Sequence, residues 1–283
     1  MSPQPDTTTW PAPAKINLFL HVTGRRADGF HDLQTLFQLL DWGDELAFTI
    51  NHDGRISRHC NTDTIPENAD LCVRAARLLR QRCSVRAGVH IDLNKQIPAG
   101  AGLGGGSSDA ATTLLVLNRL WRCGQTTEQL ALLGLELGSD VPVFVHGHSA
   151  LAEGRGERLR AIAMGRKYYL LVFPGFGVST AQVFNHPELK RDTSPLDLNE
   201  VSLVAGGNDC EAVATKLYPE LAAIMTDLQS WGQPRMSGTG STVYLEFSDK
   251  KAANSAASEL KCRYNVRAVG GVDRSPLLDM LST

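Results

Sequence analysis

Residues 97–111, IPAGAGLGGGSSDAA, constrain the fold more than any other segment, because five of the seven residues 100–106 are glycine. Glycine reaches positive φ and lets the backbone approach a ligand without a Cβ in the way. Ser107 and Ser108 are typical N-cap residues, and apolar residues at helical spacing follow them over 110–121. The pattern predicts a loop that enters a helix N-terminus. Free N–H groups and the helix dipole bind anions there, and phosphate is the anion we expect.

Other glycine-rich loops fit this segment less well. Gly100, Gly102 and Gly105 satisfy G-x-G-x-x-G, but no buried apolar strand precedes them, as a dinucleotide-binding loop requires. No lysine precedes Ser107, which excludes a P-loop, and a protein-kinase glycine loop would have valine at that position. A loop that only lets two helices pack closely is the remaining alternative. Adjacent glycines lose much backbone entropy on folding, which packing alone seldom offsets.

Composition favours an intracellular protein with a small-molecule partner. The 283 residues suffice for one large or two medium domains, and a net charge of −2 gives no reason to expect nucleic acid or an acidic membrane as partner. The six cysteines form no C-x-x-C pair, so we expect reduced thiols and a cytoplasmic location. Residues 1–13 are polar and proline-rich, which predicts a flexible tail and not a signal peptide.

The first predicted strand carries two polar side chains on one face. Residues 14–23 alternate, so that Lys15 and Asn17 point the same way. A lysine at a strand start is often only a solvated charge, and this alternative stays open. The loop 24–32 that follows ends in Phe30 and His31, which could form a pocket wall for a base or sugar or simply pack within the loop.

Asp140 lies between a predicted helix stop at Gly138 and the extended dipeptide expected before Pro142. It could act as a catalytic base or only as an Asx-turn or cap residue. His146 and His148 form an H-x-H pair that could face one side of a strand. No third ligand is visible, so we predict no protein-built metal site.

The second half of the chain repeats the alternation of strands and helices. Residues 168–173 predict a buried strand, and a short helix carrying Thr180 and Phe184 follows it. The turn MSGTGS contains Gly238 and Gly240 and opens another strand, whereas residues 191–209 predict a loop. The whole pattern predicts an α+β fold of two units that meet near Gly154.

Four segments, PAKINLFLHVTGRRADGFH, IPAGAGLGGGSSDAA, GSDVPVF and MSGTGST, resemble the motif series of the GHMP small-molecule kinases over nearly the whole chain. The resemblance implies a two-domain α+β fold after the tail 1–13. Residues 14–154 would form a ribosomal S5 domain 2-like N-terminal domain, which binds ATP and carries the catalytic residues. Residues 155–283 would form a ferredoxin-like C-terminal domain. The activity implied is ATP-dependent phosphorylation of an alcohol, with Mg²⁺ as cofactor.

The resemblance also implies roles for individual residues. Lys15 and Asp140 would be catalytic, with Asp140 taking the proton of the acceptor hydroxyl and Lys15 holding Asp140 ionised. Gly238 and Gly240 would support the loop. The ATP phosphates would lie on the loop itself, namely Pro98, Ala99, Gly100, Ala101, Gly102, Leu103, Gly104, Gly105, Gly106, Ser107 and Ser108.

Within the family, AKINLFL followed by GFH resembles the members whose acceptor carries a cytidine diphosphate. His31 would then hydrogen-bond cytosine between Phe30 and Phe184, with Asn17 and Thr180 near the sugar or diphosphate. The sequence departs from the usual pattern at two positions, with Phe30 in place of tyrosine and Asp70 in place of asparagine. Phe30 lacks the tyrosine hydroxyl, but its ring can still stack on a base.

Two alternatives stay open within the family fold. An acceptor without a base would leave Phe30, His31 and Phe184 without a purpose. A regulatory protein that binds nucleotide without turnover would not need both Lys15 and Asp140. The oligomeric state cannot be inferred from these patterns.

Overall fold

The computed structural model describes residues 8–62, 65–196 and 206–282, and the chain has the α+β composition that we predicted. Residues 1–7 of the predicted tail lie outside the described residues. For residues 10–13 the prediction of a flexible tail is wrong. Strand β1 begins at Trp10 and continues to Arg25, and Trp10 is buried. β1 runs antiparallel to β2, His31–Asn51, along nearly its whole length. The apolar alternation of β1 therefore extends to a buried residue that composition alone assigned to the tail.

Two strands and one helix follow β2 along the chain. They are β3 (Ile56–Cys60), α1 (Leu71–Cys83) and β4 (Gly88–Asn94). β4 pairs antiparallel with β2, and β3 pairs parallel with β4. Asp70 caps α1, since its carboxylate accepts the N–H groups of Cys72 and Val73.

Three helices pack against this layer. They are α2 (Gly105–Leu120), α3 (Thr127–Leu137) and α4 (Val141–His146). A capping box begins α3, because Thr126 and Gln129 exchange side-chain and backbone hydrogen bonds. Leu79 and Leu114 are fully buried in the shared core of these helices and the sheet.

The remaining elements form the second half. Two strands, β5 (Ala150–Gly154) and β6 (Arg158–Ala161), form a hairpin on β2. After them come β7 (Tyr168–Phe173), α5 (Thr180–Asn185), α6 (Glu211–Leu217), α7 (Pro219–Leu228), β8 (Arg235–Met236), β9 (Val243–Phe247), α8 (Lys250–Leu260), β10 (Asn265–Val272) and α9 (Pro276–Ser282). Short 3-10 turns lie at Glu67–Ala69 and Gln229–Trp231.

Strand pairing makes the two halves continuous. The main path of the sheet is β3-β4-β2-β10-β7-β9-β8, and β10 joins the halves through its last residues, where Gly271 and Val272 pair with β2. The predicted border at Gly154 falls inside the β5–β6 hairpin, and division into two domains stays a prediction.

The C-terminal helix returns to the N-terminal half. Leu277 on α9 is buried beside Trp10 and Val116. The end of the chain is thus packed against β1 and α2. Over the ranges that the structure describes, no helix has the length and hydropathy needed to cross a membrane.

Candidate active site

A cavity of about 1060 Å³ lies where the two halves of the molecule meet. Eighteen of the residues predicted for the site line it, and two, Ser108 and Gly240, do not. Those eighteen are Lys15, Asn17, Phe30, His31, Pro98, Ala99, Gly100, Ala101, Gly102, Leu103, Gly104, Gly105, Gly106, Ser107, Asp140 and, from the second half, Thr180, Phe184 and Gly238.

The glycine-rich loop runs along one side of the cavity and ends in α2. Gly100, Gly102 and Gly104 have φ values of 66°, 73° and 72°, which only glycine adopts without strain. Gly104 is the N-cap of α2 and no side chain caps the helix. The first-turn N–H groups are therefore available to an anion, in the region that the sequence predicted.

Ser107 and Ser108 are not the N-cap residues that we predicted. Both lie inside α2, because the loop becomes helical as early as Gly105. Ser108 is fully buried, and its N–H group donates to the carbonyl of Gly104. Ser107, in the same turn of α2, does line the cavity, whereas the buried Ser108 does not.

The turn at 236–241 supports the loop from the second half of the molecule. Ser237 Oγ donates to the Gly102 carbonyl at 2.8 Å, and the Thr242 N–H donates to the Ala101 carbonyl at 3.1 Å. A Cβ at Gly102 would lie 2.2 Å from the Ser237 carbonyl oxygen, so the two backbones can approach this closely only with glycine there. Gly238 lines the cavity beside this contact, and Gly240 lies behind it against Val178.

Lys15 and Asp140 both line the cavity and form an ion pair, with Lys15 Nζ 3.4 Å from Asp140 Oδ2. Lys15 is only 3% exposed, and its ammonium also donates to Asn17 Oδ1 at 2.6 Å and to the Gly102 carbonyl at 3.1 Å. The interpretation of Lys15 as a solvated strand charge is therefore wrong. One ammonium connects the first strand, the glycine loop and Asp140.

Asp140 directly precedes α4, where an extended backbone was expected before Pro142. It has helical φ and ψ of −86° and −10°, and Pro142 lies in the first turn of α4, a position that tolerates proline. The side chain of Asp140 makes no capping hydrogen bond and is one-third exposed. The carboxylate is thus directed to Lys15 and the cavity, which disfavours the alternative of a cap residue.

Asn17 is held by its neighbours on both sides. Its Nδ2 donates to Thr35 Oγ1 at 2.8 Å on β2, which leaves its Oδ1 for Lys15. Tyr244 on β9 donates to the Asn17 carbonyl at 3.0 Å. These contacts fix the orientation of the amide and therefore the position of the ammonium.

The aromatic residues predicted for a base lie at the other end of the cavity. His31 stacks on Phe184, with ring centroids 5.2 Å apart and an angle of 30° between the rings. Phe30 is 47% exposed, and the guanidinium carbon of Arg155 lies 3.7 Å from its ring centroid. His31 and Phe184 thus form one stacked wall, whereas Arg155 covers one face of Phe30.

Burial lowers the pKa of His31, and the charges of Arg191 and Arg25 lower it further. The ring is therefore neutral at pH 7 and has one donor and one acceptor nitrogen. Thr180, the other predicted contact on α5, shares a hydrogen bond of 3.0 Å with Thr239. This bond links α5 to the turn at 236–241.

Arg155 is a residue that the sequence analysis missed. Four lysine and arginine side chains line the cavity, and three of them have acidic partners: Lys15 with Asp140, Arg58 with Asp70, and Lys95 with Asp44 and Asp109. Within the described ranges, the guanidinium of Arg155 has no carboxylate oxygen within 4.0 Å, whereas its backbone N–H donates to Glu157 Oε2 at 2.6 Å, and its Nε is buried without a hydrogen-bond partner. Its only sequence signal is a position just after the predicted border, where it looks like a surface arginine.

A buried charge cluster lies beneath the glycine loop. Lys95 Nζ contacts Asp44 at 2.5 Å and Asp109 at 2.7 Å, and Asp44 Oδ1 also accepts the N–H groups of Gln96 and Ile97. Burial lowers the pKa of Lys95, but Asp109 and Asp44 more than offset this effect and raise it. Burial raises the pKa of Asp109. The cluster fixes the start of the loop relative to α2.

His146 and His148 are not on one strand. His146 is the last residue of α4, and the chain turns at Gly147 before His148. Across the part of the chain that the structure describes, no three His, Cys, Asp or Glu side chains converge as a metal site.

Comparison with known proteins agrees with this geometry. The model for the GHMP kinases N terminal domain matches residues 70–148, and the model for the GHMP kinases C terminal domain matches residues 189–266. A 4-diphosphocytidyl-2-C-methyl-D-erythritol kinase of Halorhodospira halophila is 48% identical over 95% of this chain and 95% of its own. Its counterpart in Hahella chejuensis is 45% identical over 98% and 97%.

Solved structures show the same fold. A crystal structure of 4-(cytidine 5'-diphospho)-2C-methyl-D-erythritol kinase has a TM-score of 0.81 at 35% identity, covering 93% of this chain and 99% of that chain. A homoserine kinase of Cytophaga hutchinsonii has a TM-score of 0.72 at 15% identity, which shows the shared fold alone.

The fold and the two family models define a small-molecule kinase of the GHMP class, as the motifs predicted. Within that class, the chain belongs to the family of the 4-diphosphocytidyl-2-C-methyl-D-erythritol kinases.

The contact between Gly102 and Ser237 can be tested with Gly102→Ala. We expect this variant to bind a non-hydrolysable ATP analogue at least tenfold more weakly, because the new Cβ forces the loop away from the turn at 236–241. Calorimetric titration measures the affinity. Gly124→Ala is the matched control, since Gly124 has a φ of 66° but nothing within 4 Å of an added Cβ. Both variants carry the same φ strain of about 1–2 kcal/mol, so equal affinities would contradict the role of the contact.

Proposed function

We propose that this protein uses ATP to phosphorylate the 2-hydroxyl of 4-diphosphocytidyl-2-C-methyl-D-erythritol, a step of non-mevalonate isoprenoid precursor synthesis. The observation that carries the proposal is the position of Lys15 and Asp140. They lie in one cavity, with an uncapped helix N-terminus on one side and an aromatic wall on the other. A phosphate donor and a base-containing acceptor can therefore meet at one acid–base pair.

The glycine loop supplies the donor side of the reaction. The N–H groups from Gly104 to Ser107 would bind the phosphates of ATP, and the dipole of α2 favours their negative charge. Backbone groups suit this purpose, because they are held in place before the ligand arrives and need no side-chain ordering.

Mg²⁺ would enter with ATP. It binds few protein ligands and keeps phosphate oxygens and waters, so a site without a carboxylate cage fits it. Ser107 lines the cavity at the helix start, and Asp109 lines it with a carboxyl oxygen that has no hydrogen-bond partner. These two oxygen donors would hold the ion, which neutralises charge on the β- and γ-phosphates when bound.

Asp140 would act as the base for the acceptor hydroxyl. As the hydroxyl oxygen bonds to the γ-phosphorus, its proton passes to Asp140, and the bond between the γ-phosphorus and the bridging oxygen of ADP breaks. Lys15 lies 3.4 Å from the carboxylate and offsets the negative charge that develops on the transferred group. Most of the rate comes from alignment and charge neutralisation, since the transition state is loose.

The acceptor would occupy the other half of the cavity. Its cytosine would hydrogen-bond to His31 beside the rings of Phe30 and Phe184. Its diphosphate needs a cation, and Arg155 is the cavity residue among those described whose guanidinium has no ion pair within 4.0 Å. Asn17 and Thr180 also line the cavity and would lie near the sugar or diphosphate of the acceptor.

We also propose a cytoplasmic location, with a small molecule as partner and neither nucleic acid nor membrane. All six cysteines carry free thiols, as a reducing compartment allows. The net charge of −2 supports no polyanionic partner.

The acceptor is tested by ADP release with magnesium-ATP. We expect turnover with 4-diphosphocytidyl-2-C-methyl-D-erythritol, and none above background with homoserine, with mevalonate or without acceptor, because only the first can use the aromatic wall and Arg155. Turnover with another alcohol alone would contradict the acceptor. ATP binding without any turnover would instead indicate a regulatory protein.

Asp140→Asn should lower kcat by a factor of ~10² or more, because the amide cannot take the hydroxyl proton. Single-turnover kinetics and titration with an ATP analogue measure chemistry and binding separately, and ATP affinity should stay unchanged. Asp92→Asn serves as the control, since this carboxylate is 49% exposed on β4 outside the cavity. Unchanged kcat in Asp140→Asn would remove Asp140 as the base.

Arg155→Gln should raise KM for the acceptor about tenfold, since a charge-assisted hydrogen bond to a phosphate contributes about 1.5–3 kcal/mol. KM for ATP should not change, because the glycine loop is intact. Initial-rate kinetics with each substrate in turn provide both constants. Arg166→Gln is the control, as Arg166 is 60% exposed outside the cavity. A change confined to the KM for ATP would place Arg155 on the donor side instead.

A further inference from the structure

Arg191 joins the two residues of the stacked aromatic wall. Its Nε donates to His31 Nε2 at 3.1 Å, and one terminal nitrogen donates to the carbonyls of Phe184 at 2.9 Å and His186 at 2.8 Å. The other terminal nitrogen donates to the Leu189 carbonyl at 3.0 Å. Four acceptors in four directions hold the planar guanidinium in one orientation.

The contact with Arg191 decides where His31 carries its proton. Arginine has only donors, so Nε2 of His31 must be the accepting nitrogen. A neutral ring then has its one proton on Nδ1. Within the described ranges Nδ1 has no protein partner, and His31 lines the cavity. The ring therefore offers an N–H donor to the ligand.

We propose that Arg191 is a positioning residue that determines which pyrimidine the acceptor site takes. The inference rests on the proposed function, in which the acceptor base lies at His31. Cytosine has an acceptor at N3, which matches the Nδ1–H donor of His31. Uracil has an N–H donor at N3, so two donors would face each other and one of them would be buried without a partner. Without Arg191, His31 could carry its proton on either ring nitrogen, and the site would no longer discriminate between cytosine and uracil.

Protonation of His31 is incompatible with this arrangement, because Nε2–H would then face the guanidinium N–H. Arg191 and Arg25, which lies opposite His31 on β1, both disfavour the charged ring, and Phe184 adds no charge on the stacked side. The acceptor should therefore bind to the neutral ring and lose affinity as the pH falls through the lowered pKa of His31. Without Arg191, Nε2–H no longer meets a guanidinium and the protonated ring still offers Nδ1–H, so this loss of affinity at low pH should be smaller.

The test uses the full chain and Arg191→Met, with CDP and UDP as probes and a saturating non-hydrolysable ATP analogue to block the donor site. Calorimetric titration should show at least tenfold tighter binding of CDP than UDP by the unmodified protein. In Arg191→Met, CDP affinity should fall about tenfold, while UDP affinity changes little, so that the ratio approaches one.

Two further variants separate this role from general destabilisation. Arg25→Met removes the other cation near His31 without touching its hydrogen bonds, and should keep the ratio of CDP to UDP affinity. Arg191→Lys retains one donor, and should restore part of the ratio even if Arg191→Met folds poorly.

The tautomer is measured directly by ¹⁵N NMR of histidine-labelled protein, with the His31 signals assigned from His31→Gln. The unmodified protein should show the proton on Nδ1, and Arg191→Met should show a mixture or the Nε2–H form. A proton on Nε2 in the unmodified protein, or an unchanged CDP to UDP ratio in both Arg191 variants, would overturn the inference. Failure of the unmodified protein to bind either nucleotide or to release ADP with the cytidine acceptor would overturn the proposed function itself.

Discussion

The site depends on one backbone oxygen, the carbonyl of Gly102. It accepts hydrogen bonds from the ammonium of Lys15 at 3.1 Å and from the hydroxyl of Ser237 at 2.8 Å. These groups come from the first strand, the phosphate loop and the C-terminal turn, which are far apart in sequence. A single such bond stabilises the fold by about 1 kcal/mol, but a buried group left unpaired costs about 1–3 kcal/mol. The three segments therefore keep one relative position, and the ammonium of Lys15 keeps it with them.

The two halves of the cavity use different chemistry for a physical reason. Phosphates are alike in every nucleotide, so backbone N–H groups at a helix start suffice to bind them. A base must be distinguished from similar bases, and this requires side chains with a defined donor and acceptor pattern. In the function that we propose, His31 would provide such a pattern, with Arg191 Nε donating to its Nε2 and holding the ring and its proton in place. Rigidity at the acceptor end thus matters as much as charge.

Much of the fold could be predicted from local patterns. The alternation of β1, the capping box at Thr126 and the glycine loop entering α2 each follow from residues within a few positions of one another. The failures have a common cause. The start of β1 was assigned to a tail, because Trp10 is buried by elements distant in sequence. The helical turn at Asp140 likewise follows from packing of α4, which overrides the extended preference before Pro142.

By itself the sequence determined the inventory of the site: a phosphate loop, a lysine, an aspartate and aromatic residues near a histidine. It did so because glycine content, N-terminal helix signals and the motif series are local properties of the chain. Only the tertiary structure decided how the charges pair. Among the described residues, Lys15, Arg58 and Lys95 form ion pairs with carboxylates and the Arg155 guanidinium forms none, and Arg191 contacts His31 from 160 positions away. Such contacts depend on the distance and direction of side chains after folding, which no local pattern encodes.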